Sequence, residues 1–479
     1  MVPMKTEKHA TPYTPTAMRP FWIEQALFNA GDLAPALQGD IKADICIVGG
    51  GYTGLWTAIQ TKQQHPALDI VILEGDLCGA GASGRNGGCV LTWSAKFFTL
   101  HRLFGESEAI RLVRASETAV QQIADFCRAH RIDAEFRHDV TLYTATNPAQ
   151  VGTLEPVMQA LESCGIESYY RLSPAEVAHR SGSASNLAGV YSPHAATVHP
   201  GKLVRGLRRV ALAMGIRIFE RSPMLGFDTG QPVSVRTPGG SVTADKLVLA
   251  TNAWMAGMFA QFERSIVIVS SDMVITDKCP ALLAQTGLVD GVSVLDSRTF
   301  VYYYRSTADG RLMLGKGGNT FAWGGRLPAV FDQCSPYRGE LTAALRGFFP
   351  SLAGVPMTAS WNGPSDRSVT GFPFFGNFNG APHVFYGFGY SGNGVGPCYM
   401  GGQILSSLLL AQDNAWTRSP LTHGPLGYFP PEPFRYVGSL LVRNAIRRKE
   451  RAEDRQRQPW LIDKVLSKLA NAAGKADKA

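Results

Sequence analysis

The sequence predicts an α/β protein: a doubly wound domain with a parallel sheet, and a second α+β domain built on an antiparallel sheet. Three observations carry this. An apolar, β-branched run, Asp44-Ile45-Cys46-Ile47-Val48, is followed at once by Gly49-Gly50-Gly51-Tyr52-Thr53-Gly54 and a helix-like stretch through Lys62. A second such run, Asp69-Ile70-Val71-Ile72-Leu73-Glu74, ends in an acid twenty residues after Gly54. Further on, segments 265–276, 292–304 and 311–315 read as strands, with Ala308-Asp309-Gly310 as the hairpin turn between the last two.

The first element carries the most chemistry. In Gly-x-Gly-x-x-Gly, Gly49 makes the tight turn, Gly51 removes a Cβ from a pyrophosphate's path, and Gly54 lets helix and strand pack closely. The N-terminus of the helix that follows points unpaired N–H groups and a partial positive charge at the anion, and Tyr52 and Thr53 within the loop are expected to meet the cofactor. Glu74 suits a ribose diol, and its charge argues against a 2′-phosphate. The same pattern recurs at Gly79–Gly84 and Gly387–Gly392, but only the first copy has strand, helix, second strand and acid in order.

At 479 residues, with 45% hydrophobic and 18% charged residues, the chain can build two or three domains around a large core. No apolar run approaches the roughly 18 residues that span a bilayer. The polar, proline-rich Met1–Pro20 has no apolar signal core, so a cytoplasmic location is expected. The eight cysteines are scattered without a Cys-x-x-Cys, which points to free thiols and to no metal site. Of the net charge of +8, most belongs to residues 443–479, with eleven Lys/Arg against five Asp/Glu. A solvated helical face is the expectation there, with no nucleic-acid partner; the alternative is contact with a membrane surface. Leu461, Ile462, Val465, Leu466 and Leu469 recur at helical spacing, and the stripe is expected to dock on the protein's own body.

Along the chain, residues 1–39 form an arm with a short apolar helix candidate at Phe21–Leu27. Residues 96–190 read as largely helical, with amphipathic segments at 106–130 and 147–165. His199-Pro200-Gly201 opens another helix, and 216–220 reads as a strand. Phe429-Pro430-Pro431-Glu432-Pro433 stops regular structure before a C-terminal extension.

Just past Glu74 comes Gly79-Ala80-Gly81-Ala82-Ser83-Gly84-Arg85-Asn86-Gly87-Gly88, a loop whose small residues leave backbone N–H groups free. With this string the chain resembles the D-amino-acid-oxidase-like family of FAD-dependent amine oxidoreductases, within it the branch of γ-glutamylputrescine oxidases and aminophosphonate oxidoreductases. Val198–Arg205, Ser222-Pro223-Met224, Ala250-Thr251-Asn252-Ala253 and Tyr386–Pro397 extend the resemblance in order over most of residues 40–410. It implies an FAD-binding Rossmann-type domain formed by 40–95, 196–265 and 370–425, a substrate domain formed by 96–195 and 266–369, and a basic extension at 426–479. It also implies that Gly81, Ser83, Arg85, Asn86, Gly87 and Gly88 meet the cofactor. Met224 would lie by the adenine, Thr251 and Asn252 on the pyrophosphate side, and Asn393, Gly394, Val395 and Gly396 under the flavin. Pro397 suits a first helical position, and a helix dipole aimed there would stabilise a reduced flavin by about 0.3–2 kcal/mol.

One departure matters. Amino-acid oxidases of this fold often carry a carboxylate-binding Arg six residues before a turn glycine. Here Ser365 takes that place before Gly371, and Arg367 follows two residues later beside Asp366. A simple α-amino acid is thereby disfavoured. Substrate-binding candidates are Tyr303, Arg305, Arg311 and Lys316 on the 302–318 hairpin, while His194 and His199 read as ordinary hydrogen-bonded histidines. The resemblance implies oxidation of a C–N bond in a small amine to an imine and then an aldehyde, with oxygen or another electron acceptor. The leading substrate is 2-aminoethylphosphonate or its N-methyl derivative. The alternatives are γ-glutamylputrescine or another polyamine derivative, and a non-catalytic FAD-binding subunit. Residues 443–479 are expected to be dispensable for flavin reduction.

Overall fold

The structure, a computed structural model, describes residues 19–27, 33–138, 141–470 and 476–477. The polar start of the chain, residues 1–18, lies outside them. The first sheet grows around Ile41–Val48, whose last four residues are buried. This strand pairs in parallel with Gly240–Leu249 on one side and Ile70–Leu73 on the other, Cys46 lying opposite both Leu247 and Val71. Ala381–Phe388 and Arg217–Phe219 extend the sheet in parallel, and Phe374–Phe378 closes one edge antiparallel. Burial on both faces is why Ile45–Val48 and Ile70–Leu73 read as unbroken apolar runs. The helices Tyr52–Gln64 and Pro397–Leu409 pack together against it. Glu220, just past Arg217–Phe219, is fully buried and takes ion pairs from Arg205 at 2.6 Å and Arg208 at 3.1 Å.

The second sheet runs in the order Met357–Ser368, Ile266–Thr276, Leu312–Phe321, Tyr302–Ser306, Ser293–Asp296, Thr141–Ala145, Ala188–Ser192, Tyr170–Leu172. Its pairs are antiparallel except where Ser293–Asp296 meets Thr141–Ala145. The α/β and α+β combination is therefore present. The largely helical reading of 96–190 needs correction. Helices Glu106–Ala129 and Glu155–Ser163 are there, but so are three strands of this sheet. Thr141–Ala145 is buried at every position, and a short run buried on both faces has no period to read.

The N-terminal helix Phe21–Leu27 is part of the body. Trp22 is fully buried, donates to the Asn86 carbonyl at 2.9 Å and stands edge-on to Trp361 and His199. His199 in turn caps the helix Pro200–Ala213, its Nδ1 accepting the Lys202 amide at 3.1 Å. Its Nε2 therefore carries the proton, 2.9 Å from Gln25 Oε1. Burial, then the nearby charges of Arg305 and Lys202, push this imidazole down to about 3. Because its folded value lies below the unfolded one of about 6.5, the stability it confers is present above that pH and is lost as pH falls toward 3. The loss is about 1.4 kcal/mol per pH unit. Thermal melts between pH 7 and pH 5 should show the wild type weakening, and His199→Asn, which can still cap, should flatten that slope.

The C-terminal extension is ordered as helices Phe434–Asp454 and Leu461–Lys468. The apolar stripe on the second is not docked on the body. Leu461, Ile462, Val465 and Leu469 are exposed, while Asp463 is buried.

Candidate active site

A cavity of about 630 Å³ lies between the two sheets and is lined from both. At one end the glycine loop forms a close-packed cradle. Gly49 has φ of +115°, and a Cβ there would lie 2.5 Å from the Ala250 carbonyl oxygen; one on Gly54 would lie 1.9 Å from the Gly49 oxygen. Ser83 Oγ accepts the Tyr52 amide at 2.9 Å. The Glu74 carboxylate accepts the amides of Gly50 at 2.7 Å and Asp76 at 2.9 Å. Burial raises its carboxyl to about 7, against the pull of those amides.

Of the residues expected to hold a cofactor, Gly49, Gly51, Tyr52, Thr53, Glu74, Gly81, Ser83, Arg85, Asn86, Gly87, Met224, Thr251, Asn252, Asn393, Gly394 and Val395 all line this cavity. Gly54, Gly88 and Gly396 do not, and support it from behind. A Cβ on Gly88 would strike the Val198 oxygen at 2.1 Å, and Gly396 precedes the helix Pro397–Leu409. Arg85 and Asn86 also shape the loop itself. Arg85 donates to the carbonyls of Ala80, Phe331 and Asn362 and pairs with Asp332 at 3.1 Å. Asn86 donates to Ser83 O and accepts from the Gly88 amide, both at 2.8 Å.

Sequence reasoning missed the anchor of the other loop. Asp366 is buried, and its carboxylate accepts the amides of Gly389, Tyr390 at 3.1 Å and Ser391 at 3.2 Å. Burial lifts its carboxyl to about 6 in spite of these donors. The fit to FAD rests on this cradle and on buried polar atoms left over. Asn252 Oδ1, Asn393 Oδ1 and Ser365 Oγ have no hydrogen-bond partner among the described residues, and all three residues line the cavity.

Residues 363–367 of Met357–Ser368 line the cavity, and by the two-residue alternation of a strand Gly363, Ser365 and Arg367 share one face. The arginine that seems displaced in sequence is thus shifted roughly 7 Å along the strand and remains on the same face. A Cβ on Gly317 would lie 3.5 Å from its guanidinium. Burial brings Arg367 down to about 10, with Asp366 and Tyr303 pulling the other way, so it stays cationic at neutral pH. Tyr303 lines the same wall, its hydroxyl 2.9 Å from Ser271 Oγ. Burial pushes its phenol well above the usual range.

The other hairpin candidates are not in the cavity. Lys316 pairs in register with Tyr302, whereas Tyr303 pairs with Gly315, so Lys316 and Tyr303 point to opposite faces. Lys316 Nζ lies 3.6 Å from the Tyr302 ring centroid and donates to the Phe300 carbonyl at 3.1 Å. Burial lowers its pKa, with Glu450 and Asp296 opposing. Arg305 is buried and spent on the carbonyls of Gly87 and Val198, both at 2.7 Å. Arg311 pairs with Asp309 at 3.0 Å, and His194 is bonded to the Glu167 carbonyl at 3.3 Å.

Lys316 leads to the C-terminal extension. Glu450, buried in the helix Phe434–Asp454, accepts the amides of Thr299 at 3.0 Å and Phe300 at 3.3 Å. Both residues line the cavity. The extension therefore clamps the cavity wall from behind, which removes the reason for expecting residues 443–479 to be dispensable.

Residues 44–408 match the sequence model of the family DAO, FAD dependent oxidoreductase, and the chain belongs to that family. It is an FAD-dependent amine oxidoreductase. It is 28% identical over 386 residues to "Gamma-glutamylputrescine oxidoreductase" of Escherichia coli (strain K12), covering 80% of this chain and 87% of that protein. It is 25% identical over 385 residues to "Probable oxidoreductase OrdL" of Haemophilus influenzae, covering 79% and 85%. Among solved structures, glycine oxidase from Geobacillus kaustophilus superposes with a TM-score of 0.66 at 19% identity, covering 80% of this chain and 98% of that one.

Two outcomes follow from this geometry. Gly51→Val places a side chain where a Cβ already lies 3.0 Å from Ser83 Oγ, and the purified variant should be colourless, with no FAD released on denaturation. Glu450→Ala leaves the backbone amides of Thr299 and Phe300 without their buried acceptor and should cost about 1–3 kcal/mol in urea unfolding.

Proposed function

We propose that the chain oxidises the C–N bond of a small amine whose anionic group lies away from the reacting carbon, with 2-aminoethylphosphonate or its N-methyl derivative the leading candidate. The observation that carries the reading is Arg367, a cation on the cavity wall beside Tyr303 and Ser365. Bound FAD supplies the acceptor for the hydride that leaves the amine-bearing carbon. The residues that would hold it are the Gly49–Gly54 loop, Glu74, the 81–87 loop, Met224, Asn252 and Asn393–Val395.

The chain's own residues bind and orient. Among the described residues neither histidine nor lysine lines the cavity, Asp366 and Glu74 are occupied by backbone amides, Asp332 is paired with Arg85, and Tyr303 keeps its proton. The amine must therefore arrive with its lone pair free, and Arg367 fixes the far end of the substrate. Oxygen or another acceptor then takes the electrons. A second reading has γ-glutamylputrescine as substrate, favoured by the relative of that name and equally supplied with a remote anion.

Anaerobic flavin bleaching by 2-aminoethylphosphonate, its N-methyl derivative, γ-glutamylputrescine and an uncharged alkylamine separates these readings. The aminophosphonates should bleach fastest; a faster reaction with γ-glutamylputrescine would assign that substrate instead. A charge-assisted hydrogen bond contributes about 1.5–3 kcal/mol, so Arg367→Met should raise KM for the anionic amine roughly ten- to a hundredfold. The uncharged amine should be little affected, and an equal effect on both would remove the anion-binding role.

A further inference from the structure

The helix Leu461–Lys468 is packed with its apolar side outward. It folds back along Phe434–Asp454, where buried Asp463 receives Arg448 at 2.7 Å and Leu466 is half-buried. Leu461, Ile462 and Val465 are left 78%, 61% and 56% exposed, with Leu469 just past the helix end and Trp460 just before it also exposed. A globular helix normally buries such a stripe and shows its charges to water.

The charge around this face is equally one-sided. Each nearby acid is already taken within the protein. Asp463 is held by Arg448, Glu453 by Lys449 and Asp454 by Arg298, while Glu450 is buried against the 299–300 loop. The cations left over are exposed: Arg451, Arg455, Arg457, Lys464 and Lys468, and none of them forms an ion pair among the described residues. Lys464 and Lys468, one turn apart, border the apolar stripe, where long stems can lie along hydrocarbon while the ammonium groups stay in water. Trp460 sits where the chain enters the helix, a side chain suited to a lipid headgroup boundary.

We propose that this face docks in the plane of an anionic phospholipid membrane, the stripe entering the headgroup boundary and the lysines and arginines meeting lipid phosphates. A short amphipathic helix with cations beside its apolar face binds in this way. Among the described residues no helix is long and apolar enough to cross a membrane, so the attachment is peripheral. The same charge pattern disfavours a second copy of the chain, because a two-fold contact through this face would set one basic surface against another.

The test is vesicle co-sedimentation of the full-length, FAD-loaded protein. It should pellet with mixed phosphatidylglycerol–phosphatidylcholine vesicles and stay in solution with phosphatidylcholine alone, and added salt should release it. Val465→Glu/Leu469→Glu and Lys464→Glu/Lys468→Glu should each lower the bound fraction by about tenfold or more. Flavin content and melting temperature should not change, since these side chains touch solvent. Absence of pelleting with the anionic vesicles would overturn the proposal, as would pelleting that neither double variant weakens. A wild-type dimer that Val465→Glu/Leu469→Glu splits, with vesicle binding unchanged, would overturn it and assign the face to a second copy.

Discussion

The buried carboxylate of Glu220 is the point on which the cofactor end of this molecule depends. Besides Arg205 and Arg208 it accepts the amides of Cys78 and Ala34, both at 2.9 Å. One side chain thus joins the helix Pro200–Ala213, the end of a sheet strand, the entry to the 79–88 loop and the N-terminal segment. Burial alone would raise its pKa, but Arg205, the two amides and Arg208 outweigh that and hold it below the ordinary carboxylate value. A charge this deep is tolerable only because every lone pair is used, and removing one partner would strand the others. The loop that faces the cavity therefore owes its position to groups outside the cavity.

Asp366 plays the matching part at the other end, turning one strand of the second sheet into the support for a loop of the first. At the cavity this one carboxylate of the second sheet organises three backbone amides that follow a strand of the first. Glu450 repeats the device on the outer wall. In all three cases the acid binds main chain, which fixes loop shape.

The cofactor end was legible in the sequence because its signals are local. Strand, glycines, helix, strand and Glu74 lie within about thirty residues, as the βαβ geometry requires. The substrate wall was harder, because it is set by register. Once Ala308–Gly310 is taken as the turn, pairing Tyr303 with Gly315 already forces Lys316 to the opposite face, so that error was avoidable. Arg305 was not readable in the same way. It shares the face of Tyr303, and only the approach of Gly87, Val198 and Trp22 from distant parts of the chain shows that it is consumed in packing. The anchors Asp366, Glu220 and Glu450 left no sequence signal, since an acid that binds distant amides looks like any other acid. The outward stripe on the last helix departs from the usual rule because the fully buried position of that helix is Asp463, held by Arg448, and not a leucine.

The parallel pairing of Ile41–Val48 with Gly240–Leu249 has a consequence for how the protein is made. The central strand of the first sheet leaves the ribosome about two hundred residues before its neighbour, and at about 5–20 residues per second that interval is roughly 10–40 s. Throughout it, one edge of a strand whose last four residues are all apolar has no partner. Nascent chains of this enzyme therefore carry their aggregation hazard early in synthesis, and demand on cellular chaperones should peak before Gly240–Leu249 emerges.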